Sequence, residues 1–243
     1  MSLNIDGIRD AARLLEGKVL RTPSIRSTVF SEASGADVWL KLENLQHTSS
    51  FKPRGALVRL LAMNDAARQN GVVAASAGNH AQGVAFHAQA LDINATIVMP
   101  QETPFTKILS TEKWGATVVL EGTDLSEAEN RAVEISTDEN RSFIHPYDDE
   151  DIIRGQGTVG LEFGTDVPDL DAVIIPIGGG GLFAGAGTAL KALNPEIEIF
   201  GVEAAAYPSM SEAVSGGTIS SGGVTVAEGI AVKRPGKLTR PIV

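Results

Sequence analysis

The sequence predicts an α/β protein made of two parallel-sheet domains, each with helices on both faces of its sheet in three αβα layers. Segments typical of strands alternate along the chain with helical segments of about ten or more residues, which is the pattern of parallel sheets. Strands such as "DAVIIPI" are unbroken apolar runs, which indicates burial on both faces. Because no Pro/Gly linker separates two halves, we expect the second domain to be inserted within the first.

The first half of the chain opens with a predicted amphipathic helix in "NIDGIRDAARLLEG". Its apolar stripe is formed by Ile5, Ile8, Ala12 and Leu15. A second helix over residues 53–69 ends at the Asn-Gly pair 70–71. The other elements predicted here are strands over 37–43, 72–76 and 95–100 and a helix over 80–91.

The second half continues the alternation. Its predicted helices cover residues 104–114, 124–138 and 182–193, and its predicted strands cover 116–122, 142–146, 171–177 and 196–203. The stretch "SGGTISSGG" at 215–223 has the composition of a flexible loop.

Composition excludes several classes of function. The chain has 243 residues, 43% of them hydrophobic, with a net charge of −10. The negative charge argues against nucleic acid or an anionic membrane as a partner, but not against a small anionic ligand. The absence of Cys excludes disulfides, thiolate metal sites and cysteine nucleophiles, and it favours a reducing cytoplasm. We see no signal-peptide-like segment and no apolar run long enough to span a membrane.

Lys52, in "TSSFKPRGAL", is the first candidate for chemistry. A residue before proline is driven away from helical geometry, and proline is favoured at the first helical position. We therefore expect Lys52 just outside a helix that starts at Pro53. There, the helix dipole and partial burial beside Phe51 favour the neutral, nucleophilic amine. Position alone favours a solvated lysine at a helix start, with Ser49 and Ser50 as helix caps.

The second candidate is the loop "SAGNH", which lies between a predicted strand and a predicted helix. Ligands bind at the carboxyl ends of strands in such sheets. Gly78 allows close approach to the backbone, and Ser76 with the free N–H groups of the helix start suits a carboxylate. A plain helix cap by Ser76 or Asn79 is the alternative. His80 and His87 are seven residues apart, which is not the spacing of a zinc helix.

The third candidate is the run of four glycines, Gly178–Gly181, between a buried strand and a helix. Consecutive backbone N–H groups at a helix start bind phosphate, and four glycines cost too much chain entropy for a plain turn. Gly179, Gly181 and Ala184, with Glu203 about twenty residues on, also fit a dinucleotide fingerprint. A nicotinamide dehydrogenase therefore stays open on this segment.

A lysine favoured as the neutral amine, a Ser/Gly/Asn loop and a glycine loop that suits phosphate together indicate a pyridoxal phosphate enzyme. The sequence resembles the threonine/serine dehydratases of the fold-type II (tryptophan synthase β-like) group. The motifs that carry the resemblance, in order, are "SSFKPRGA", "SAGNHAQGVA", "HPYDDEDIIRGQGTVGLE", "PIGGGGL" and "EGIAVKRPG". Serine racemases share most of them. A dehydrogenase explains the glycine run and Glu203 but not "SSFKPRGA".

The resemblance implies a role for each matching residue. Lys52 matches the lysine that forms the Schiff base and moves the α-proton, and Phe51 matches the aromatic residue against the cofactor ring. Asn79 matches the partner of the phenolic oxygen. The loop whose backbone N–H groups bind the cofactor phosphate corresponds to Gly178, Gly179, Gly180, Gly181 and Leu182. The loop that grips the substrate carboxylate corresponds to Ser76, Ala77, Asn79 and His80.

Two further implications concern an acid/base and a cation. In racemase relatives the residue matching Ser76 is also the acid/base on the second face. Glu203 matches a divalent-metal ligand of some relatives, which place an aspartate six residues later, where this sequence has Ser209. The resemblance therefore implies pyridoxal 5'-phosphate as cofactor and leaves open whether a divalent or monovalent cation binds as well.

The activity implied is β-elimination from threonine or serine, giving a 2-oxo acid and ammonia. Serine racemase chemistry, the β-replacement chemistry of other fold-type II pyridoxal phosphate enzymes and an inactive, truncated binding protein remain alternatives. The implied architecture is a large domain over 1–48 and 149–243, an inserted small domain over 49–148 and the cofactor in the cleft between them. A homodimer or homotetramer is implied as well.

Family members extend beyond the point where this sequence stops. We therefore expect the C-terminal part of the large domain to be missing, with the side chain that meets the pyridine nitrogen. Poor solubility or a compensating partner would follow from the exposed apolar surface.

Overall fold

A computed structural model describes residues 3–218 and 220–243 of the chain. Its centre is a four-stranded, all-parallel sheet of order β5-β4-β3-β6. The strands are β3 (Val72–Ala75), β4 (Ala95–Met99), β5 (Thr117–Leu120) and β6 (Ser142–Phe143). Strands β3 and β4 are buried along their whole length, as their apolar composition predicts.

Helices cover both faces of this sheet, so this part of the molecule has the three predicted αβα layers. On one face, alternate residues such as Val72 and Ile97 pack with α3 (Lys52–Leu61) and α5 (Asn79–Ala90). On the other face, Val73 and Val98 pack with α7. The remaining helices here are α4 (Asp65–Asn70), α6 (Phe105–Glu112) and α7 (Leu125–Asp138).

A second parallel pair is formed by β7 (Ala172–Pro176) and β8 (Glu198–Val202), which α9 (Gly181–Leu193) connects. Its inner face packs with Phe163 and Met210. Its outer face is open in the described part of the chain, since Ile174 is 71% and Phe200 is 51% exposed. The expectation that β7 is covered on both faces is therefore wrong for this pair.

Two features of the N-terminal region differ from the predictions. The helix α1 (Ile5–Leu15) buries Ile8, Ala11 and Leu15, so Ala11 rather than Ala12 completes its apolar stripe. The strand predicted over 37–43 is only β2 (Trp39–Lys41), and it pairs antiparallel with β1 (Ser24–Arg26). We did not predict β1, because three residues of mixed polarity carry no period-2 signal.

The helix α8 (Glu150–Asp166) is the main element that the sequence reasoning missed. Its glycines lower intrinsic helix propensity, yet they let α8 cross its neighbours at backbone distance. A Cβ on Gly155 would lie 2.5 Å from the Cα of Gly55 in α3, and one on Gly185 of α9 would lie 2.3 Å from the carbonyl oxygen of Ile153. The helix α8 thus joins α3 to α9 and brings the two sheets together.

Other elements and boundaries also differ from the predictions. The helix predicted over 53–69 is two helices, because the Asn64 side chain accepts a hydrogen bond from the Ala67 N–H and starts α4 as a new helix. The helix α10 (Ser209–Ser215) was not predicted and takes the first residue of the predicted loop. Residues 216–218 and 220–223 form no helix or strand, and Ile219 lies outside the described residues. Two short 3-10 helices cover Glu43–Leu45 and Glu228–Ile230.

Candidate active site

Lys52 is the first residue of α3, with Phe51 as the N-cap residue and Pro53 in the first turn. The predicted position just outside the helix is therefore off by one residue. The Lys52 Nζ donates a hydrogen bond of 2.7 Å to the carbonyl oxygen of Pro146, which follows β6. It also lies 5.4 Å from the centre of the Phe51 ring. These contacts hold the amine at the junction between α3 and the end of β6.

Burial lowers the pKa of Lys52 to about 8. The side chain is half-buried, and the carbonyl at 2.7 Å supplies only a dipole to offset the lost hydration of the ammonium. This geometry therefore favours a neutral amine far more than a solvated position does. It is the electrostatic preparation that the sequence reasoning expected of Lys52.

The start of α3 is fixed by Arg54, whose side chain is fully buried. Its guanidinium makes paired hydrogen bonds of 2.7–2.9 Å to Glu43 and to Glu162 of α8. Burial opposes the charge, but these carboxylates raise the pKa of Arg54 above its ordinary value. Two bidentate pairs leave the guanidinium little freedom, so Arg54 holds the turn that carries Lys52.

The four glycines lie between β7 and the first residue of α9, which is Gly181, and Gly180 adopts a left-handed conformation with φ of +93°. There is no room for side chains in this loop. A Cβ on Gly179 would lie 2.2 Å from the ring of Tyr147, and one on Gly180 would lie 2.6 Å from the Thr239 Oγ1. The Gly179 carbonyl accepts hydrogen bonds from the Gly236 N–H at 3.1 Å and the Thr239 hydroxyl at 2.6 Å. The loop is thus fixed on one side by the C-terminal segment.

One cavity brings the lysine and the glycine loop together. The predicted residues that line it are Phe51, Lys52, Gly178, Gly179, Gly180, Gly181 and Leu182. They come from chain segments more than a hundred residues apart, and the crossing of α8 with α3 and α9 places them face to face.

The loop at Ser76 lies next to this region without lining the cavity. The helix α5 starts at Asn79, which is exposed, and no side chain caps it. The Ser76 hydroxyl accepts a 3.2 Å hydrogen bond from the Gly78 N–H. One turn further, Gly83 packs so closely on α3 that its Cβ would lie 3.0 Å from the Pro53 nitrogen. The start of α5 is therefore anchored beside the start of α3, and Ala77, which precedes α5, packs against the same core cluster as Ala56 of α3.

His80 is buried, and its Nε2 makes a 2.9 Å hydrogen bond to the Ile144 carbonyl. Burial, together with the nearby charge of Lys52, lowers the pKa of His80 to about 3. His80 is therefore neutral at physiological pH, with Nε2–H as the donor to the carbonyl. It contributes no charge to the site.

Glu203 has a structural contact of its own. Its carboxylate accepts hydrogen bonds from the Met210 N–H at 2.7 Å and the Ser211 N–H at 2.9 Å, and so caps α10. Ser209 is buried and donates to the Val232 carbonyl. Within the described residues no group of three or more His, Cys, Asp or Glu could hold a metal ion. The cation role of Glu203 stays a prediction.

Sequence reasoning did not single out several residues of this region. Tyr147 and Gln156 line the cavity, and Asp148 accepts hydrogen bonds from the Lys237 and Leu238 N–H groups. The segment around Ile230 and Val232 also lines the cavity. Most of these residues lie inside the quoted motifs "HPYDDEDIIRGQGTVGLE" and "EGIAVKRPG". The sequence signal that could have identified one of them is the polar Gln156, which stands among small and apolar residues.

These residues fit pyridoxal phosphate. The cavity pairs an amine of lowered pKa with a loop whose glycines tolerate no side chain, next to the start of α9, where backbone N–H groups favour an anion. An aldehyde and a phosphate on one small molecule match these two features.

Comparison with known proteins agrees with this fit. The family model described as "Pyridoxal-phosphate dependent enzyme" matches residues 15–243. The chain belongs to this family, and the predicted fold class is confirmed. This membership displaces the dehydrogenase alternative that the glycine run and Glu203 had left open.

Among its relatives, the chain is similar to the L-threonine ammonia-lyase of Thermotoga maritima. The two are 46% identical over 243 residues, which is 99% of this chain and 61% of that protein. The solved T.th. threonine deaminase superimposes with a TM-score of 0.92 at 36% identity, over 99% of this chain and 79% of that one. Maize serine racemase superimposes with a TM-score of 0.94 at 33% identity, over 100% and 74%.

The chain therefore spans about three fifths of the length of the Thermotoga protein. No helix among the described residues is long and apolar enough to cross a membrane.

Proposed function

We propose that this chain carries the active site of a pyridoxal-phosphate-dependent lyase that converts threonine or serine into a 2-oxo acid and ammonia. The observation that carries the proposal is the Lys52 amine, whose pKa burial lowers to about 8, in one cavity with the four-glycine loop. The threonine ammonia-lyase and threonine deaminase relatives support the choice of reaction and substrate.

Lys52 acts as nucleophile and base. With a pKa of about 8, about a tenth of the amine is unprotonated at pH 7, compared with about one part in 3,000 at the ordinary value of 10.5. The carbonyl of Pro146 accepts one N–H and orients the amine. Exchange with the amino group of the substrate would free the Lys52 amine, and the same nitrogen would then take the α-proton, while the β-hydroxyl leaves as water.

The cofactor would be held by the glycine loop and by Phe51. Backbone N–H groups of Gly178–Gly181 and Leu182 would receive the phosphate at the start of α9, and Phe51 would lie against the ring. When bound, pyridoxal phosphate supplies an aldehyde for amine attack and a ring that stabilises the negative charge left by the α-proton.

The substrate carboxylate would be held at the start of α5 by Ser76, Ala77, Asn79 and His80. The first-turn N–H groups of this helix have no side-chain cap, and the positive end of the helix dipole favours an anion there. The neutral His80 adds no competing charge beside Lys52. In this arrangement Asn79 would contact the ring oxygen of the cofactor.

Racemisation is the second candidate, because maize serine racemase is among the similar structures. Ser76 would then be the acid/base opposite Lys52. Its hydroxyl is only half-buried and accepts from the Gly78 N–H, which leaves its own proton free to be given. Two assays separate the activities. A lyase releases a 2-oxo acid from threonine and forms no D-serine from L-serine, whereas a racemase forms D-serine.

The test is turnover by the purified chain with pyridoxal phosphate. We expect 2-oxobutanoate from threonine and pyruvate from serine, measured as the hydrazones. The variant Lys52→Ala should lose both products, and full turnover by Lys52→Ala would refute the assignment. Binding of the cofactor without turnover would instead indicate an inactive binding protein.

We further propose the predicted domain division, with residues 49–148 as an inserted unit. The sheet β5-β4-β3-β6 supports it, because all four strands come from residues 72–143. We propose a cytoplasmic homodimer or homotetramer, supported by the absence of Cys and by the exposed face of β7 and β8. Sedimentation velocity tests the assembly.

A further inference from the structure

Gln156 of α8 is a buried amide in the wall of the Lys52 cavity. Its side chain is 1% exposed. The Oε1 atom accepts a hydrogen bond of 3.3 Å from the Gly55 N–H, one turn into α3. The Nε2 atom has no hydrogen-bond partner among the described residues.

The orientation of this amide is determined by its contact with α3. If the amide were turned over, its NH2 group would face the Gly55 N–H, and two donors would oppose each other. The amide therefore keeps its oxygen on α3 and leaves the nitrogen without an acceptor. A buried donor without an acceptor is costly and uncommon in native proteins, and ligand sites are where such groups find their partners.

The other groups in the cavity show what kind of partner is required. Lys52 presents an amine, and the loop Gly178–Gly181 presents backbone N–H groups at the start of a thirteen-residue helix. Gln156, which carries an unpartnered donor, lines the same cavity. A wall of donors matches a ligand rich in anionic oxygens.

We propose that Gln156 donates a hydrogen bond through Nε2 to an anionic oxygen of the ligand that occupies the Lys52 cavity. The proposal rests on the proposed function, in which that ligand is pyridoxal phosphate. It makes Gln156 a cofactor-binding residue in addition to those predicted, and it explains why a polar side chain stands in the glycine-rich crossing of α8. The acceptor is either a phosphate oxygen or the phenolic ring oxygen.

Titrations of the cofactor-free chain with pyridoxal phosphate and with pyridoxal test this proposal, followed by absorbance and by mass after borohydride reduction. Gln156→Glu keeps the acceptor for the Gly55 N–H and replaces the donor by a carboxylate oxygen. Gln156→Met has a similar length, adds no charge and removes the donor. Gln46→Glu is the matched control, because Gln46 is 3% exposed, lies outside the cavity and hydrogen-bonds Leu20.

We expect both Gln156 variants to bind pyridoxal phosphate about ten- to a hundredfold more weakly, the effect of losing a hydrogen bond to a charged group. Gln46→Glu should keep wild-type affinity. A loss for pyridoxal phosphate alone assigns the acceptor to the phosphate, and an equal loss for pyridoxal assigns it to the ring oxygen.

Two failures are distinguishable. Wild-type affinity in both Gln156 variants, with the adduct on Lys52, would overturn the role of Gln156 and leave the proposed function standing. The absence of any adduct in the wild-type chain would overturn both. Far-ultraviolet circular dichroism of each variant shows that the chain is folded, and a folded Gln156→Met with unchanged affinity is alone sufficient to refute the proposal.

Discussion

Replacing Lys52 by Met should stabilise the cofactor-free protein at neutral pH while removing its reactive amine. The pKa of Lys52 falls from an ordinary 10.5 to about 8 on burial, and each pH unit corresponds to about 1.4 kcal/mol. The ammonium therefore costs the folded state about 3 kcal/mol below pH 8. Losing the hydrogen bond to the Pro146 carbonyl offsets about 1–1.5 kcal/mol of this. We expect Lys52→Met to be about 1–2 kcal/mol more stable than wild type at pH 7.

The pH dependence has a definite sign. Between pH 8 and 10.5 the unfolded chain binds the Lys52 proton and the folded chain does not, so wild-type stability rises with pH relative to the variant. The advantage of Lys52→Met should shrink by about 2 kcal/mol between pH 7 and pH 9.5. Urea unfolding at both pH values measures it, with the exposed Lys237→Met as the control that should show no such change. A variant less stable than wild type at pH 7, or a difference independent of pH, would refute the reasoning.

Two other substitutions test the scaffold of the site. Arg54→Met removes the shared partner of the nearly buried Glu43 and Glu162 carboxylates, and the free energy of unfolding in urea should fall by about 3–5 kcal/mol. A fall of less than about 1 kcal/mol would mean that the ion pairs of Arg54 contribute no more than surface ion pairs do. Gly179→Ala places a Cβ 2.2 Å from the Tyr147 ring, so the loop or the ring must move, and we expect pyridoxal phosphate affinity to fall at least about tenfold. Gly217→Ala, whose Cβ would have ordinary contacts at 3.5 Å, should bind normally, and equal affinity of the two variants would contradict the role of the loop.

The sequence predicted the strands of the central sheet well, because buried parallel strands are short apolar runs that helices separate. It failed at α8, where Gly155 and Gly160 lower helix propensity but allow close crossing with α3 and α9. Such a crossing depends on tertiary packing, and the sequence of neither helix alone indicates it. The split between α3 and α4 could have been predicted, since Asn64 is a good N-cap residue.

For the site, the pairing of Lys52 with the glycine loop could be predicted, because a reactive amine and a phosphate-binding loop suit one cofactor that carries an aldehyde and a phosphate. The residues around them did not follow. Tyr147 matters because its ring fills the space beside Gly179, and Thr239 matters because its hydroxyl holds the same glycine. Neither carries a charge or a spacing that indicates such a contact. Gln156 was recognised only from two structural observations, its place in the lining of the cavity and its unpartnered Nε2.

The most direct test of the account is the mass of the chain after incubation with pyridoxal phosphate and reduction with borohydride. The account predicts one pyridoxyl group per chain, found after digestion on the peptide that contains Lys52 and absent from Lys52→Met. An adduct on a different lysine, or none at all, would contradict the claim that the Lys52 amine and the four-glycine loop form a single cofactor site.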